Sequence, residues 1–424
     1  MKKTSVCFLI LGFLTILNVS AQETFKVMFY NLLNYPLEDA VPNREADLHF
    51  ILSDYKPDLF LVCELNNITG ANNVLNIARS AINSDFEMVT YVSNTSDDTF
   101  GDQNDLQNLL YYDSTKFIIE EEIIVPTDLR DFNVYKLKLN TTEQATNPIE
   151  FYVVICHLKA SSGTINAQRR FQMVVELDSY LNTLPSNTNV ILGGDLNIYT
   201  ASEAAFQELT DNTNNITFVD PANRIGSWNN NPNYADVFTQ STRTQSGMGG
   251  TTGGFDDRFD FILTSENMLS TANLTYVANS YQVYGNNGLS SCYNSAINSS
   301  NCATPESQFP FPIRDALHNF SDHLPVTLSL QTDATFLNVN DFDISEYFNI
   351  EKTIINSSIV FYINSPQLLD TTISIYNALG KHVKTIQTNT NNRQEYDVSE
   401  LQSGLYFLTF ENFNTKSFKF IVQH

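Results

Sequence analysis

The sequence predicts a large α+β unit followed by a small all-β unit. Three observations carry this. Through roughly residue 330, short β-branched and aromatic runs alternate with helical stretches and long Asn/Ser/Gly/Thr loops. One helix is plain in "INAQRRFQMVVELDSYLNTL", where Phe171, Val174, Val175, Tyr180 and Leu181 fall near one face before Pro185 closes the segment. Beyond "LPVTLSL" the texture changes to short strands separated by polar turns.

In chain order, the first residues, "MKKTSVCFLILGFLTILNVSAQ", combine Lys2 and Lys3, an apolar run from Val6 to Leu17 and a small Ala21. They read as a secretory signal peptide cut near Ala21, and the run is too short to span a bilayer. No later stretch approaches the roughly 20 apolar residues of a membrane helix, so no stable membrane insertion is expected. Residues 22–334 form the larger domain, a linker lies around residues 332–345, and residues 335–424 form the second domain. In that domain, "TTISIYNALGKHV", "YDVSELQSGLYFLTF" and "KSFKFIVQH" read as strands with Gly turns at Gly380 and Gly404, a small β-sandwich.

The chain of 424 residues has 47 acidic side chains against 23 Lys and Arg, a formal charge of -24. Such a balance disfavours loose binding to a polyanion or an anionic membrane, so a phosphate substrate would need a local cation. Cys292 and Cys302 flank a polar loop in a chain bound for an oxidising compartment, which favours a local disulfide. Cys63 and Cys156 sit inside apolar runs and read as buried thiols. There is no CxxC or HExxH, hence no zinc-ligand spacing.

Several apolar runs end in a functional side chain. "TFKVMFYNLL" alternates Phe25, Val27 and Phe29 and then sets Asn31 on the same side. "PDLFLVCEL" ends in Glu64, a carboxylate that is costly to bury unless paired or metal-bound. "EFYVVICHL" alternates Phe151, Val153 and Ile155 before His157; "NVILGGDLN" delivers Asp195 and Asn197. "DRFDFIL" holds Asp260, and "SDHLPVTLSL" sets Asp322 and His323 just before a strand. Singly, each is a turn former or a satisfied polar group. Six in one domain point to a shared site.

The ordered set "FYNLL", "DLFLVCEL", "VICHLKA", "GGDLN", "RFDFIL" and "SDHLPV" resembles the endonuclease/exonuclease/phosphatase superfamily over residues 24–331. The resemblance implies a four-layer αββα sandwich with its site at one end and a metal-dependent attack of water on phosphorus. It implies that Asn31 and Glu64 hold Mg²⁺ or Mn²⁺, with Ca²⁺ a further candidate ion and Asp322 at a second metal position. His323 would be the base, oriented by Asp260; Asp195 would orient the water, Asn197 would donate to a phosphoryl oxygen, and His157 would stabilise the phosphate or protonate the leaving oxygen. The orienting partner of His157 is open between Asp105 and Gln107. Asn108 and Arg243 are candidate substrate contacts; Arg243, Arg258 and Lys159 could each meet a phosphate or instead take a surface or ion-pair role. The Gly-rich "QSGMGGTTGGF" lacks the ending of a P-loop and reads as a mobile loop before the Asp260 strand.

The tail, with Asn377-Ala378-Leu379-Gly380-Lys381 and Ser403-Gly404-Leu405-Tyr406, resembles the C-terminal sorting domain of type IX secretion substrates. That resemblance implies export and contact with the secretion machinery; an Ig-like carbohydrate-binding or spacer module is the other reading. The functional expectation is a secreted or surface-attached endonuclease acting on DNA or RNA. The alternatives are a phosphodiesterase or phosphatase acting on small phosphoesters or phospholipid head groups, and a non-catalytic adhesion protein on the same fold.

Overall fold

The computed structural model describes residues 22–96, 106–270, 273–337, 347–365, 368–410 and 417–424. The signal-peptide segment, most of the linker and Asp105 lie outside the described residues. The chain divides into two units, Met1–Leu337 and Asn338–His424.

The first unit is built on two sheets. One is ordered β11-β13-β1-β2-β4-β3, with β12 also on β13: β1 (Glu23–Tyr35), β2 (Leu59–Leu65), β3 (Phe86–Met88), β4 (Gln107–Asp113), β11 (Thr275–Tyr276), β12 (Gln282–Val283) and β13 (Val326–Thr332). The other is ordered β5-β6-β7-β8-β10-β9: β5 (Phe117–Val125), β6 (Phe132–Leu139), β7 (Glu150–His157), β8 (Val190–Asp195), β9 (Phe218–Val219) and β10 (Asp260–Ser265).

The two-residue period of these strands explains why the sheets pack. Phe25 of β1 meets Phe151 of β7 with ring centroids 6.2 Å apart, so the odd residues of both strands share the interface between sheets. Gly193 of β8 lies where that interface is tightest: a Cβ there would stand 2.6 Å from Leu61 Cδ2 and 3.3 Å from Phe29 Cβ. The even residues face helices. Tyr30 packs on Phe320 of α5 (Phe311–Phe320) at 5.3 Å. Helices α1 (Arg44–Tyr55) and α2 (Ile68–Ala81) join α5 in the core of the first sheet. On the second sheet, α3 (Thr164–Leu181) and α4 (Ala204–Leu209) cover Val154, Leu192 and Phe261. The result is the αββα layering, with each buried Phe or Leu contributing about 1.5–3 kcal/mol.

Details differ from the sequence reading. The stripe that α3 buries is Arg170, Met173, Val174, Leu177 and Leu181, while Phe171, Val175 and Tyr180 are half-buried at its flank. The helix rolls so that Met173, Val174, Leu177 and Leu181 enter the core, and Arg170 beside them bonds Glu203 at 2.7 Å. Cys292 and Cys302 are disulfide-bonded, and Cys63 and Cys156 are buried thiols.

The second unit packs a three-stranded sheet, of β14 (Phe348–Ile350), β16 (Ser358–Ile363) and β19 (Arg393–Asp397), and a five-stranded sheet, of β15 (Ile354–Ile355), β21 (Phe418–Val422), β20 (Gly404–Phe410), β17 (Thr372–Asn377) and β18 (His382–Gln387), around one core containing Ile359, Phe361, Ile375 and Leu408. Its β17 (Thr372–Asn377) and β18 (His382–Gln387) are joined by a turn with Gly380 at φ 75°, where a side chain would be strained. Gly404, read as a turn, instead opens β20 (Gly404–Phe410). No described helix is long and apolar enough to cross a membrane.

Candidate active site

The C-terminal ends of β2, β7 and β8 and the start of β10 deliver their polar residues to one place, because β7 and β8 run parallel in register, His157 beside Asp195. Asp260, antiparallel to β8, pairs with Asp195 in turn. From the facing sheet, β1 brings Asn31 on the same side as Phe29, so the alternation read in the sequence positions it.

Glu64 reaches the cluster by another route. Asn31 pairs in register with Cys63, so regular pleating would turn Glu64 to the helix side. Its backbone instead takes φ 57°, and the ladder shifts register between Val62 and Leu65. A left-handed non-glycine residue costs about 1–2 kcal/mol, and here it re-aims a carboxylate.

Asn31 is the hub. Its Nδ2 donates to Glu64 Oε1 at 3.0 Å and to Asp195 Oδ2 at 3.1 Å, and lies 3.5 Å from His323 Nε2. Its Oδ1 accepts from Leu33 N at 3.0 Å, which sets the amide's orientation. Glu64 Oε2 accepts from Asn34 N at 3.0 Å. His157 Nε2 stands 3.6 Å from Asp195 Oδ2 and 3.9 Å from Glu64 Oε1. His323 Nδ1 is 2.7 Å from Asp260 Oδ2. Asn197 donates its backbone N–H to Asp195 Oδ1 at 3.1 Å and its side-chain amide to Leu158 O at 3.3 Å.

Burial and the crowding of like charges weaken the acids of this cluster. Burial pushes the Asp195 carboxyl up to about 8, with the charges of Asp260 and Glu64 adding to it and His323 opposing. Burial, then the Asp322 charge, raises Glu64. His157 is driven well below the usual imidazole range by burial, with Arg130 and His323 adding. Burial alone would depress His323 too, but Asp260, Asp322 and Asp195 outweigh it and hold it well above that range.

Among the described residues, two sets of ligating atoms lie within 4.8 Å of one another: Glu64, His157 and Asp195, and Asp195, Asp260 and His323. The first set offers two hard carboxylates and an imidazole. Buried acids that repel one another fit a divalent cation better than they fit solvent. Two of the expected metal ligands have other partners here. Asp322, expected at a second metal position, is absent from both sets; its Oδ2 accepts from Thr251 N at 2.7 Å and Gln240 Nε2 at 3.3 Å. Asn31 presents its NH₂ to the acids, so its oxygen would ligate only with the amide turned over and the hydrogen bond from Leu33 N broken.

The two arginines left open between phosphate and ion-pair roles are both engaged by the fold. Arg243, fully buried, donates to the carbonyls of His318, Met248, Gly249 and Asn319 and so fastens the Gly-rich loop to the end of α5. Arg258 is bidentate to Asp220 at 2.8 Å inside the core. Both are therefore structural, since each guanidinium is fully buried and held by the fold, Arg243 on backbone carbonyls and Arg258 on Asp220. Asn108 is buried, its Nδ2 on Asp131 O, Asn133 Oδ1 and Ile155 O. His157 Nδ1 is buried without a hydrogen-bond partner among the described residues; Gln107 is buried at the start of β4.

Three contacts escaped the sequence reading. Gln240 Nε2 lies 2.6 Å from His323 Nε2. Thr239 Oγ1 accepts from Asp260 N at 3.2 Å. Arg130 Nη1 donates to Leu158 O at 3.0 Å beside His157. No local pattern marks them, because each becomes significant only through a strand distant in sequence.

Residues 351–423 match the family model of the secretion system C-terminal sorting domain. Solved structures similar to this chain include the human Nocturnin catalytic domain, at 14% identity and TM-score 0.44, covering 73% of this chain and 97% of that one. An endonuclease/exonuclease/phosphatase family protein from Bacteroides thetaiotaomicron has 15% identity and TM-score 0.44, with 74% and 96% covered. D. rerio TDP2 complexed with a single-strand DNA product has 16% identity and TM-score 0.45, with 73% and 99% covered. No curated protein matches the chain in sequence. The chain thus carries a C-terminal segment of the secretion sorting domain family, which indicates secretion or outer-surface attachment, behind a unit similar to endonuclease/exonuclease/phosphatase family structures.

Proposed function

We propose that the first unit is a divalent-metal-dependent phosphoesterase, and that its substrate is the phosphodiester backbone of extracellular DNA or RNA. The observation that carries this is the convergence of His323, hydrogen-bonded to Asp260 at 2.7 Å, with Asp195 and Glu64 in one buried cluster. Glu64 and Asp195 would hold Mg²⁺ or Mn²⁺. When bound, the ion supplies electrophilic stabilisation of the charge that develops on phosphoryl oxygens.

The chain's own residues perform the rest. Asp260 anchors the His323 ring and stabilises the charge it acquires when Nε2 takes a proton from the attacking water. Asp195, beside both imidazoles, orients that water. His157, kept neutral by burial, faces the phosphate as a donor at Nε2. Asn197 is placed to donate to a phosphoryl oxygen once its amide leaves Leu158 O. Export follows from a signal peptide cleaved near Ala21 and from the sorting tail acting with the type IX machinery.

A second reading, a small phosphodiester or phospholipid head group, is favoured by the formal charge of -24 and by the commitment of Arg243 and Arg258 to the fold. Little cationic surface remains to track a polyanion. The test is hydrolysis by the mature chain with Mg²⁺, Mn²⁺ or EDTA, against plasmid DNA, RNA, bis-p-nitrophenyl phosphate and sphingomyelin. EDTA-sensitive nucleic-acid cleavage abolished in His323→Ala supports the nuclease reading. Turnover of only the small diester or the lipid moves the substrate to the second. No turnover of any substrate refutes the hydrolase.

A further inference from the structure

Away from the cluster of acids and imidazoles, the first unit carries a groove of about 560 Å³ whose lining includes none of Asn31, Glu64, His157, Asp195, Asp260 or His323. Small-molecule sites span about 300–1,000 Å³. The groove lies where the outer edge of the first sheet is broken. Strands β11 and β12 both pair with β13, and residues 277–281 between them turn away, with Asn279 at φ 63°. The break sets Tyr276, Asn279 and Tyr281 in the lining. Further lining comes from the segment after β9, with Arg224 and Asp236, and from residues 304–308.

Two kinds of polar side chain line it. In "YGNNGLSSC", Asn286 donates its amide to Ala235 O at 2.7 Å and Phe238 O at 3.2 Å and accepts from Gly288 N at 2.8 Å. Asn287 donates to Cys302 O at 2.9 Å and Phe309 O at 3.1 Å and accepts from Phe309 N at 2.9 Å. These two amides are spent on the backbone and hold the lining in shape. Others keep bonding capacity. Asn279 and Glu306 are exposed and make no side-chain hydrogen bond or ion pair among the described residues. Asp236 gives Oδ1 to Arg224 Nη2 at 2.8 Å and keeps Oδ2. Gln282 and Gln308 bond each other at 2.8 Å, and the Tyr276 hydroxyl accepts from Tyr281 N at 3.1 Å while its own hydrogen stays available.

The chemistry of this lining excludes most ligand classes. An anion would meet the Asp236 and Glu306 carboxylates with only Arg224 in return, and Asp236 already neutralises that cation. Among the described residues, no triad of metal-ligating atoms forms here. An apolar ligand would bury amides and carboxylates without partners. A peptide added as a strand would have only Gln282 and Val283 of β12 to pair with. A sugar fits: its hydroxyls donate to carboxylates and both donate to and accept from amides, and its C–H face lies on a tyrosine ring. We infer that this groove binds a neutral oligosaccharide, at a site separate from the phosphoesterase cluster. Occupancy needs neither the metal nor turnover. It would fasten the chain to an uncharged, hydroxyl-rich partner, which a formal charge of -24 does not repel.

The test is isothermal titration of the full mature chain, in EDTA, with maltotriose, cellotriose and mannotriose; trigalacturonic acid and a tetra-alanine peptide serve as the charged and the strand-forming controls. At least one neutral trisaccharide should bind, and neither control should. Asn279→Gly, which tolerates the left-handed backbone, and Glu306→Ala each remove a polar group that the fold does not use, so urea midpoints should hold while affinity falls about fivefold, as expected for one lost hydrogen bond. Tyr276→Ala, which removes the ring, should weaken binding further. His323→Ala should bind as the wild type does. No binding of any neutral trisaccharide, binding of a control in their place, or affinity unmoved in both Asn279→Gly and Glu306→Ala overturns the inference. Sugar binding in a chain that hydrolyses no phosphoester refutes the hydrolase reading and upholds this one.

Discussion

The bond between His323 Nδ1 and Asp260 Oδ2, 2.7 Å long and buried on both sides, makes Asp260→Asn the sharpest perturbation of the site. Asparagine keeps the volume and can still accept from Nδ1–H, so the fold and the ring position should survive. What goes is the charge. A hydrogen bond to a charged group contributes about 1.5–3 kcal/mol against about 1 for a neutral one, so the loss is about 1–2 kcal/mol. At about 1.36 kcal/mol per decade, turnover should fall about 5–30-fold.

The same substitution has a signature that needs no substrate. Burial opposes the imidazolium, and Asp260 is the first of the charges that hold the His323 pKa well above its ordinary value. A raised histidine pKa means that the folded state binds the proton more tightly than the unfolded chain does. That stabilisation is complete below the unfolded pKa of about 6.5 and is lost as pH rises through the folded pKa. Asp260→Asn should lower the folded pKa, so the stability gap between wild type and variant should be widest below about pH 6.5 and narrow above it. Ring ¹⁵N titration and urea unfolding at a series of pH values provide the assays. A His323 titration left in place, together with full turnover, would refute the pairing as a functional device.

Three further outcomes are expected. Mg²⁺ or Mn²⁺ at about a hundred times its Kd should stabilise the mature chain by about 2.7 kcal/mol, and Glu64→Gln should lose most of this; thermal melts indifferent to ion and to EDTA would sink the metal assignment. Asp220→Ala should cost about 3–5 kcal/mol in urea unfolding by leaving the Arg258 charge alone in the core, and a cost below about 1 kcal/mol would show that the pair does not hold the unit. The half-exposed Asp47 carboxyl is raised to about 6, by burial first and then by Asp315, so its ionisation weakens the fold as pH climbs from about 4 to 6. Asp47→Asn should therefore stabilise by about 1 kcal/mol at pH 7 and by nothing at pH 4, a figure discounted for solvent screening; equal effects at both pH values would contradict this.

Part of this arrangement is legible in the chain before it folds. Strand period two needs only neighbours, so the alternation Phe25, Val27, Phe29, Asn31 and the parallel case ending in His157 already place each polar group on its face. The order of six polar-ended strands already brings Asn31, Glu64, His157, Asp195, Asp260 and His323 under suspicion. Phe171 and Tyr180 show the limit of periodicity: a helix's roll is decided by what it packs against, here the core that takes Met173, Val174, Leu177 and Leu181.

Local period is enough for the alternating faces of β1 and β7, because it depends on residues close together in the chain. How each side chain is used depends on the packed fold. Glu64 turns inward through a left-handed backbone that no pattern announces. Arg243, a free cation on paper, is consumed by four carbonyls. Gln240 meets His323 across 83 positions of chain. Burial and hydrogen-bond partnership are properties of the folded whole, and a residue's chemistry follows from them as much as from its side chain.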